Sequence, residues 1–244
     1  MRNIHVVLFD LGHTLLYFDG DWPQVFLQAQ AQVWQAFDQA GLSLPREVFL
    51  ENLRTYLEAY YRERESEFIE HTTAYILRNL LKEMGYGTIP ADTLQAALTA
   101  MYATTQAHWH LVPGAHETLH TLQARGYSLG LISNAAHDDD VQTLVDRHAL
   151  RSFFEIVLTS AAAGVRKPNP RIFNMALQHW GIPPRQALIV GDTLGADILG
   201  GQYAGLHTAW VTAYADTPAN RAHRETIFPE YQFENLSALL KILP

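Results

Sequence analysis

Residues 4 to 9 form a short β-branched and aromatic run, Ile-His-Val-Val-Leu-Phe, that ends at Asp10-Leu11-Gly12-His13-Thr14. This is the pattern of a buried strand entering a tight loop. From Trp22 to about His108 the periodicity is helical, in four apolar-periodic segments with no strand signal between them. The first takes Asp21 as its cap, carries Pro23 in its first turn and stops at Gly41. The second follows Pro45 and places Phe49, Leu53, Tyr56, Leu57 and Tyr60 along one face. The third runs from about Thr73 to Met84, and the fourth follows Pro90. Four helices in a row predict a compact helical module.

After Val112-Pro113-Gly114 the texture changes to alternation. Helical Ala115 to Ala124 is followed by a strand over Ser128 to Ser133, helical Asp140 to His148 and a strand over Glu155 to Thr159. Two more strands, Ala187 to Val190 and roughly Thr208 to Val211, alternate with helical Arg171 to Trp180 and Gly195 to Tyr203. Such alternation implies parallel β/α units with right-handed crossovers, so the expected fold is α/β with a doubly wound, mainly parallel, Rossmann-like sheet. Asp216 to Glu230 reads as an irregular excursion before a last amphipathic helix near Leu236 to Leu243. The expected organisation is a core of residues 1–16 plus 111–244, interrupted by a helical insertion over 17–110.

Composition narrows the classes. The chain has 244 residues, 48% hydrophobic and 17% charged, which excludes a disordered chain, a coiled coil or a collagen-like repeat. With 17 Lys and Arg against 25 Asp and Glu the formal charge is −8, and no basic run marks a polyanion-binding stripe, so nucleic acid is not an expected partner. The absence of cysteine removes disulfides, thiolate zinc sites and cysteine nucleophiles together. The apolar start is broken by Asp10, Gly12 and His13 well short of a signal peptide or a membrane span, so the expectation is a cytoplasmic protein without a membrane partner. The sequon Asn235-Leu236-Ser237 is then a chance match.

In an open parallel sheet, ligands bind outside the carboxyl ends of the strands. The first strand here ends in Asp10 and the second in Ser133-Asn134. The third is followed by Lys167-Pro168, and the fourth ends in Gly191-Asp192 with Asp197 five positions on. Two acids from different strands suit a hard cation such as Mg²⁺, which takes oxygen ligands and completes its shell with water and substrate phosphate. The lysine balances the remaining negative charge.

The four motifs, Asp10-x-Gly12-x-Thr14, Ser133-Asn134, Lys167-Pro168 and Gly191-Asp192-xxxx-Asp197, resemble in kind and order the signature of the haloacid dehalogenase superfamily. The resemblance covers nearly the whole chain. It implies that the helical insertion is the family's α-helical cap and that Asp10 is a nucleophile forming an aspartyl-phosphate. It further implies Mg²⁺ held by Asp10, the backbone carbonyl of Gly12 and Asp192, with Asp197 supporting the metal's waters or the lysine. Ser133, Asn134 and Lys167 would hold the phosphate, with Lys167 also offsetting the charge on Asp10. The implied substrate is a small phosphorylated metabolite.

One departure matters. Phosphatases of this family carry a second Asp two residues after the nucleophile, a general acid and base worth roughly 10²–10⁴-fold in rate, and this chain has Gly12 there. The metal site is spared, because that position contributes its backbone carbonyl. Three readings follow. His13 or a cap residue supplies the proton; or the enzyme is a slow phosphatase, or one that takes leaving groups needing no acid, such as acyl phosphates; or the chain is a phosphate- and metal-binding relative with little turnover, or a dehalogenase. Phosphatase ranks first, the impaired relative second and the dehalogenase third, because Asp192 would be a superfluous charge in a metal-free site.

Other polar clusters have structural readings. The acids of His137-Asp138-Asp139-Asp140 complement the dipole of the helix that follows. Arg62 and Arg64 read as a solvated helix face, His108-Trp109-His110 as linker packing, and the aromatic stripe of Trp22, Phe26, Trp34, Phe37, Tyr56, Tyr60 and Tyr61 as the core of the helical module.

Overall fold

The structure, a computed structural model, describes residues 3–243 apart from the Glu65 side chain. The chain forms two compact units, Met1–Tyr17 with His110–Pro244, and Phe18–Trp109.

The first unit is built on a six-stranded sheet. Its strands are β1 (Val6–Phe9), β4 (Ser128–Ser133), β5 (Ile156–Thr159), β6 (Ala187–Gly191), β7 (His207–Val211) and β8 (Tyr231–Phe233), in the order β5-β4-β1-β6-β7-β8. Every neighbouring pair is parallel. β1 is flanked on both sides, by β4 with Val6 opposite Ser128 and by β6 with Val6 opposite Ala187. Central parallel strands are covered on both faces and so read as unbroken apolar runs; all four residues of β1 are buried. The crossovers are α5 (Ala115–Ala124), α6 (Asp138–Arg147), α7 (Ser160–Ala163), α8 (Pro170–Gln178), α9 (Leu199–Ala204) and α10 (Pro218–His223). α8 buries Ile172, Phe173, Ala176 and Leu177 against Val6, Leu8 and Ile189 of the sheet. The α/β, mainly parallel, doubly wound fold is the one expected from the alternation of elements.

Several elements differ from expectation. The stretch 194–204 begins with a π-helical turn, Leu194–Ile198, before α9. The last segment, Leu236–Lys241, is a 3₁₀ helix. The excursion 216–230 contains α10, whose cap is the Thr217 side chain accepting from Asn220 N, and it leads into the edge strand β8. The acids expected just ahead of a helix at Val141 instead form the first turn of α6, where Asp138 also accepts a hydrogen bond of 2.6 Å from Thr159 Oγ1.

The second unit is four helices: α1 (Trp22–Gln39), α2 (Arg46–Glu67), α3 (Thr73–Glu83) and α4 (Ala91–Gln106). Asp21 caps α1 by accepting from Gln24 N, and Thr72 caps α3 by accepting from Tyr75 N. α1 packs along α4, and α2 against α1 and α3. Their apolar faces meet in a core that includes Phe37, Phe49, Leu53, Leu77, Leu81, Leu94 and Leu98, with the Phe37 and Phe49 rings edge to face at 5.9 Å. The aromatic stripe is only partly core. Phe37 and Tyr60 are buried, Phe26, Trp34, Tyr56 and Tyr61 are half-buried against them, and Trp22 is exposed. Arg64 is not a solvated side chain either: its guanidinium lies 4.2 Å from the Tyr61 ring centroid and 5.5 Å from that of Tyr60, a cation–π arrangement. The chain passes between the units through two short strands that pair with each other, β2 (Leu16–Phe18) and β3 (Trp109–Leu111). No described helix is long and apolar enough to cross a membrane.

Candidate active site

Asp10 follows β1 directly, its amide donating to Val190 O of the neighbouring strand at 2.9 Å. This ties the acid to the carboxyl edge of the sheet beside Gly191 and Asp192, at the end of β6. The carboxylates of Asp10, Asp192 and Asp197 each offer an oxygen within 4.8 Å of the others, and all three residues are buried.

Lys167 joins them. Its ammonium donates to Asp10 Oδ1 at 2.5 Å, to Asp197 Oδ1 at 2.6 Å and to the carbonyl of Ile132 at 2.9 Å, satisfying all three of its protons. Asn134, at the end of β4, holds the lysine's own peptide: its Oδ1 accepts from Lys167 N at 2.8 Å and its Nδ2 donates to Lys167 O at 2.9 Å. The side chain expected to meet phosphate is thus engaged in seating Lys167. The Lys167-Pro168 peptide is cis. Ser133 is the last residue of β4 and is buried at the same edge.

Asp197 is reached through the π turn. Its second oxygen accepts from Thr193 N at 3.0 Å, and its amide donates to Thr193 O at 2.8 Å. The carboxylate lies so close over Gly191 that a Cβ there would collide with Asp197 Cγ. Glycine at 191 is therefore a packing requirement of the acid further along the chain. A wider π turn at a functional site is a recurrent device, and here it carries Asp197 back over the strand end.

The electrostatics follow from burial. Desolvation raises the Asp10 pKa to about 6, opposed by Lys167 and reinforced by Asp197. Desolvation, with Asp10 and Asp197 nearby, also holds Asp192 well above the usual carboxylate range. Burial works against the Lys167 charge, yet Asp10 and Asp197 outweigh it and push the ammonium pKa above its ordinary value. The cluster is short of positive charge.

Position 12 carries no side chain, and Gly12 bridges to Leu16 across the loop. His13 sits there in the left-handed conformation at φ 58°, half-buried, with its ring 6.4 Å from that of Tyr214. Burial lowers its pKa below the ordinary histidine value, which favours the neutral imidazole.

Two residues at the site escape sequence reasoning. The carbonyl of Asp192 accepts from Trp210 Nε1 at 2.6 Å and from Asn220 Nδ2 at 2.8 Å. Trp210 reads as an ordinary strand residue. Asn220 has only the Thr217-Pro218 cap signal of its short helix to mark the region.

Comparison with known proteins accords with this arrangement. The family model described as haloacid dehalogenase-like hydrolase matches residues 44–211. A glyceraldehyde 3-phosphate phosphatase from Pyrococcus furiosus is 29% identical over 243 residues, covering 100% of this chain and 94% of the relative. A protein of the same name from Pyrococcus abyssi is 31% identical over 85% of this chain and 81% of its own. Among solved structures, a 2-haloacid dehalogenase from Pseudomonas syringae superposes with a TM-score of 0.68 at 25% identity over 98% of both chains. A HAD-hydrolase from Bacillus subtilis, solved bound to magnesium, gives 0.58 at 25% identity over 99% of both. The chain belongs to the haloacid dehalogenase-like hydrolases.

Proposed function

We propose that the protein is a Mg²⁺-dependent phosphoric monoester hydrolase that acts on a small phosphorylated metabolite through Asp10. The observation that carries the reading is the buried trio of Asp10, Asp192 and Asp197, two of which, Asp10 and Asp197, share the Lys167 ammonium. The donor set fits the metal: hard carboxylate oxygens, with two of the acids raised in pKa by burial and by their acidic neighbours. Asp10, the Gly12 carbonyl and Asp192 would hold the ion, with Asp197 acting indirectly through Lys167. When bound, Mg²⁺ supplies Lewis-acid stabilisation of phosphoryl charge and lowers the repulsion between the anionic substrate and the acids.

The chain's own residues do the rest. Lys167 orients the Asp10 carboxylate through one oxygen and offsets its charge as the phosphate approaches. An Asp10 oxygen attacks phosphorus, the ester P–O bond breaks, and the leaving oxygen departs as an anion that takes its proton from solvent. Water then attacks the aspartyl-phosphate at phosphorus, the P–O bond to Asp10 breaks, and inorganic phosphate leaves with the water's proton passing to phosphate or solvent, which returns the carboxylate. Ser133 and neighbouring amides hold a phosphoryl oxygen. Gly12 offers no acid, and burial disfavours the protonated form of His13, so in this reading the enzyme favours leaving groups that depart without protonation. In this reading the helical insertion is the family's cap, the part that selects the substrate. The relatives named glyceraldehyde 3-phosphate phosphatase support a small phosphorylated substrate. Such metabolites are cytoplasmic, and so is the enzyme in this reading.

Gly12 favours a second reading, a metal- and phosphate-binding relative that has lost turnover. Phosphate release from p-nitrophenyl phosphate and acetyl phosphate with Mg²⁺, in wild type and Asp10→Asn, separates the two. Release abolished by the substitution supports the phosphatase, and a silent wild type supports the impaired relative. Halide release from haloacids that persists in chelator would mark a dehalogenase, for which Asp192 has no use.

A further inference from the structure

Asn220 lies in α10, far in sequence from the four motifs, and is fully buried. Its carboxamide ties together three segments. Nδ2 donates to Asp192 O at 2.8 Å and to Ala215 O at 2.9 Å, while Oδ1 accepts from Leu194 N at 2.8 Å. Both amide hydrogens are thereby used. The Trp210 indole donates to the same Asp192 carbonyl at 2.6 Å, so both lone pairs of that oxygen are filled. The backbone on either side of Thr193 is thus clamped, at Asp192 by two donors and at Leu194 by one acceptor. Asn220 is itself fixed by the Thr217 Oγ1 cap on its amide, at 3.2 Å. Trp210 is packed among Leu194, Ile198, Ala215 and Ile227.

We propose that Asn220 is a positioning residue for Mg²⁺ binding. It sets the peptide from which the Asp192 carboxylate projects, with Trp210 as a second support for the same carbonyl. The inference rests on the metal-dependent reading above. A carboxylate that must meet a small cation needs its backbone held, because Mg²⁺ tolerates little departure from octahedral geometry. Losing an outer partner of a metal ligand typically costs about 10–100-fold in affinity. Asparagine suits the position because it supplies two donors and an acceptor from one planar group. An aspartate would face the two carbonyl oxygens with oxygen.

The test is calorimetric titration of Mg²⁺ into the full chain as wild type, Asn220→Ala and Trp210→Phe, with thermal unfolding in chelator recorded alongside. The expected result is a Mg²⁺ Kd raised about 10–100-fold by Asn220→Ala and raised less, in the same direction, by Trp210→Phe. The Mg²⁺ concentration for half-maximal phosphate release should rise in step, while the substrate KM at saturating Mg²⁺ stays at the wild-type value. Folded variants that bind Mg²⁺ with wild-type affinity overturn the proposal and leave Asn220 a purely structural residue, whatever the melting temperatures show. Should Asn220→Ala fail to fold, Trp210→Phe decides by the same criterion. A wild type that takes up no Mg²⁺ instead overturns the functional reading, and this inference falls with it.

Discussion

The carboxylate of Asp197 occupies the space where a side chain at Gly191 would begin, so that a Cβ at 191 would overlap both Cγ and Oδ2 of the acid. Alanine at 191 must displace the acid or the π turn that carries it. Gly191→Ala should therefore destabilise by about 1–3 kcal/mol, the usual cost of overpacking, and should loosen the Lys167 contact as well. Denaturant unfolding reads the first effect and loss of phosphatase activity the second. A variant as stable and as active as wild type would mean that Asp197 moves aside freely.

Lys167 is buried and paired to two acids. Removing one partner of a buried pair strands the other, at about 3–5 kcal/mol. Lys167→Met should lose at least that order of stability at pH 8 and less at pH 5, where the stranded Asp10 can take up a proton. Urea unfolding at the two pH values measures it. Equal losses at both would show that Asp10 is not held charged by the lysine.

The raised pKa of Asp10 makes a directional claim about the metal-free protein. The carboxyl titrates near 3.8 when unfolded and at about 6 when folded, so between these values the folded state binds more protons. Stability is then fully present below pH 4 and is lost as pH rises through 6, by roughly 3 kcal/mol for a shift of this size. In chelator, the melting temperature of Asp10→Asn relative to wild type should climb across this window and level off above it. Saturating Mg²⁺ should abolish the climb. A flat difference would show that burial does not penalise the Asp10 charge.

Gly12→Asp restores the side chain whose absence sets the leaving-group preference. Hydrolysis of an alkyl phosphate, whose alkoxide needs a proton, should rise by about 10²-fold or more, within the range of general acid catalysis. Hydrolysis of acetyl phosphate should change little. Steady-state phosphate release on both substrates checks this, and equal gains on the two would contradict it.

The sheet and the site are legible for a shared physical reason. Buried parallel strands such as Val6–Phe9 and Ala187–Gly191 are continuous apolar runs, and their carboxyl ends are where the polar residues of a site must stand. Asp10, Lys167, Asp192 and Asp197 all stand there. What escapes lacks a periodic signal. β2, β3 and β8 are three residues each, too short for alternation to register, and α10 presents the polar Pro-Ala-Asn-Arg-Ala-His with no apolar stripe. The engagement of Asn134 with the Lys167 peptide, 33 residues away, and of Asn220 with Asp192, 28 residues away, are tertiary facts. No spacing rule in a single chain encodes them. Arg64 reads as solvated because charge patterning along a helix does not reveal which rings lie beside it.

The central claim is that Asp10 and Asp192 share a divalent ion, and a crystal structure grown with Mg²⁺ and BeF₃⁻ tests it most directly. The predicted result is one ion bound by a carboxylate oxygen of each aspartate and by the Gly12 carbonyl, with the beryllium fluoride on Asp10. Mg²⁺ bound elsewhere, or a fluoride complex seated away from Asp10, would contradict it.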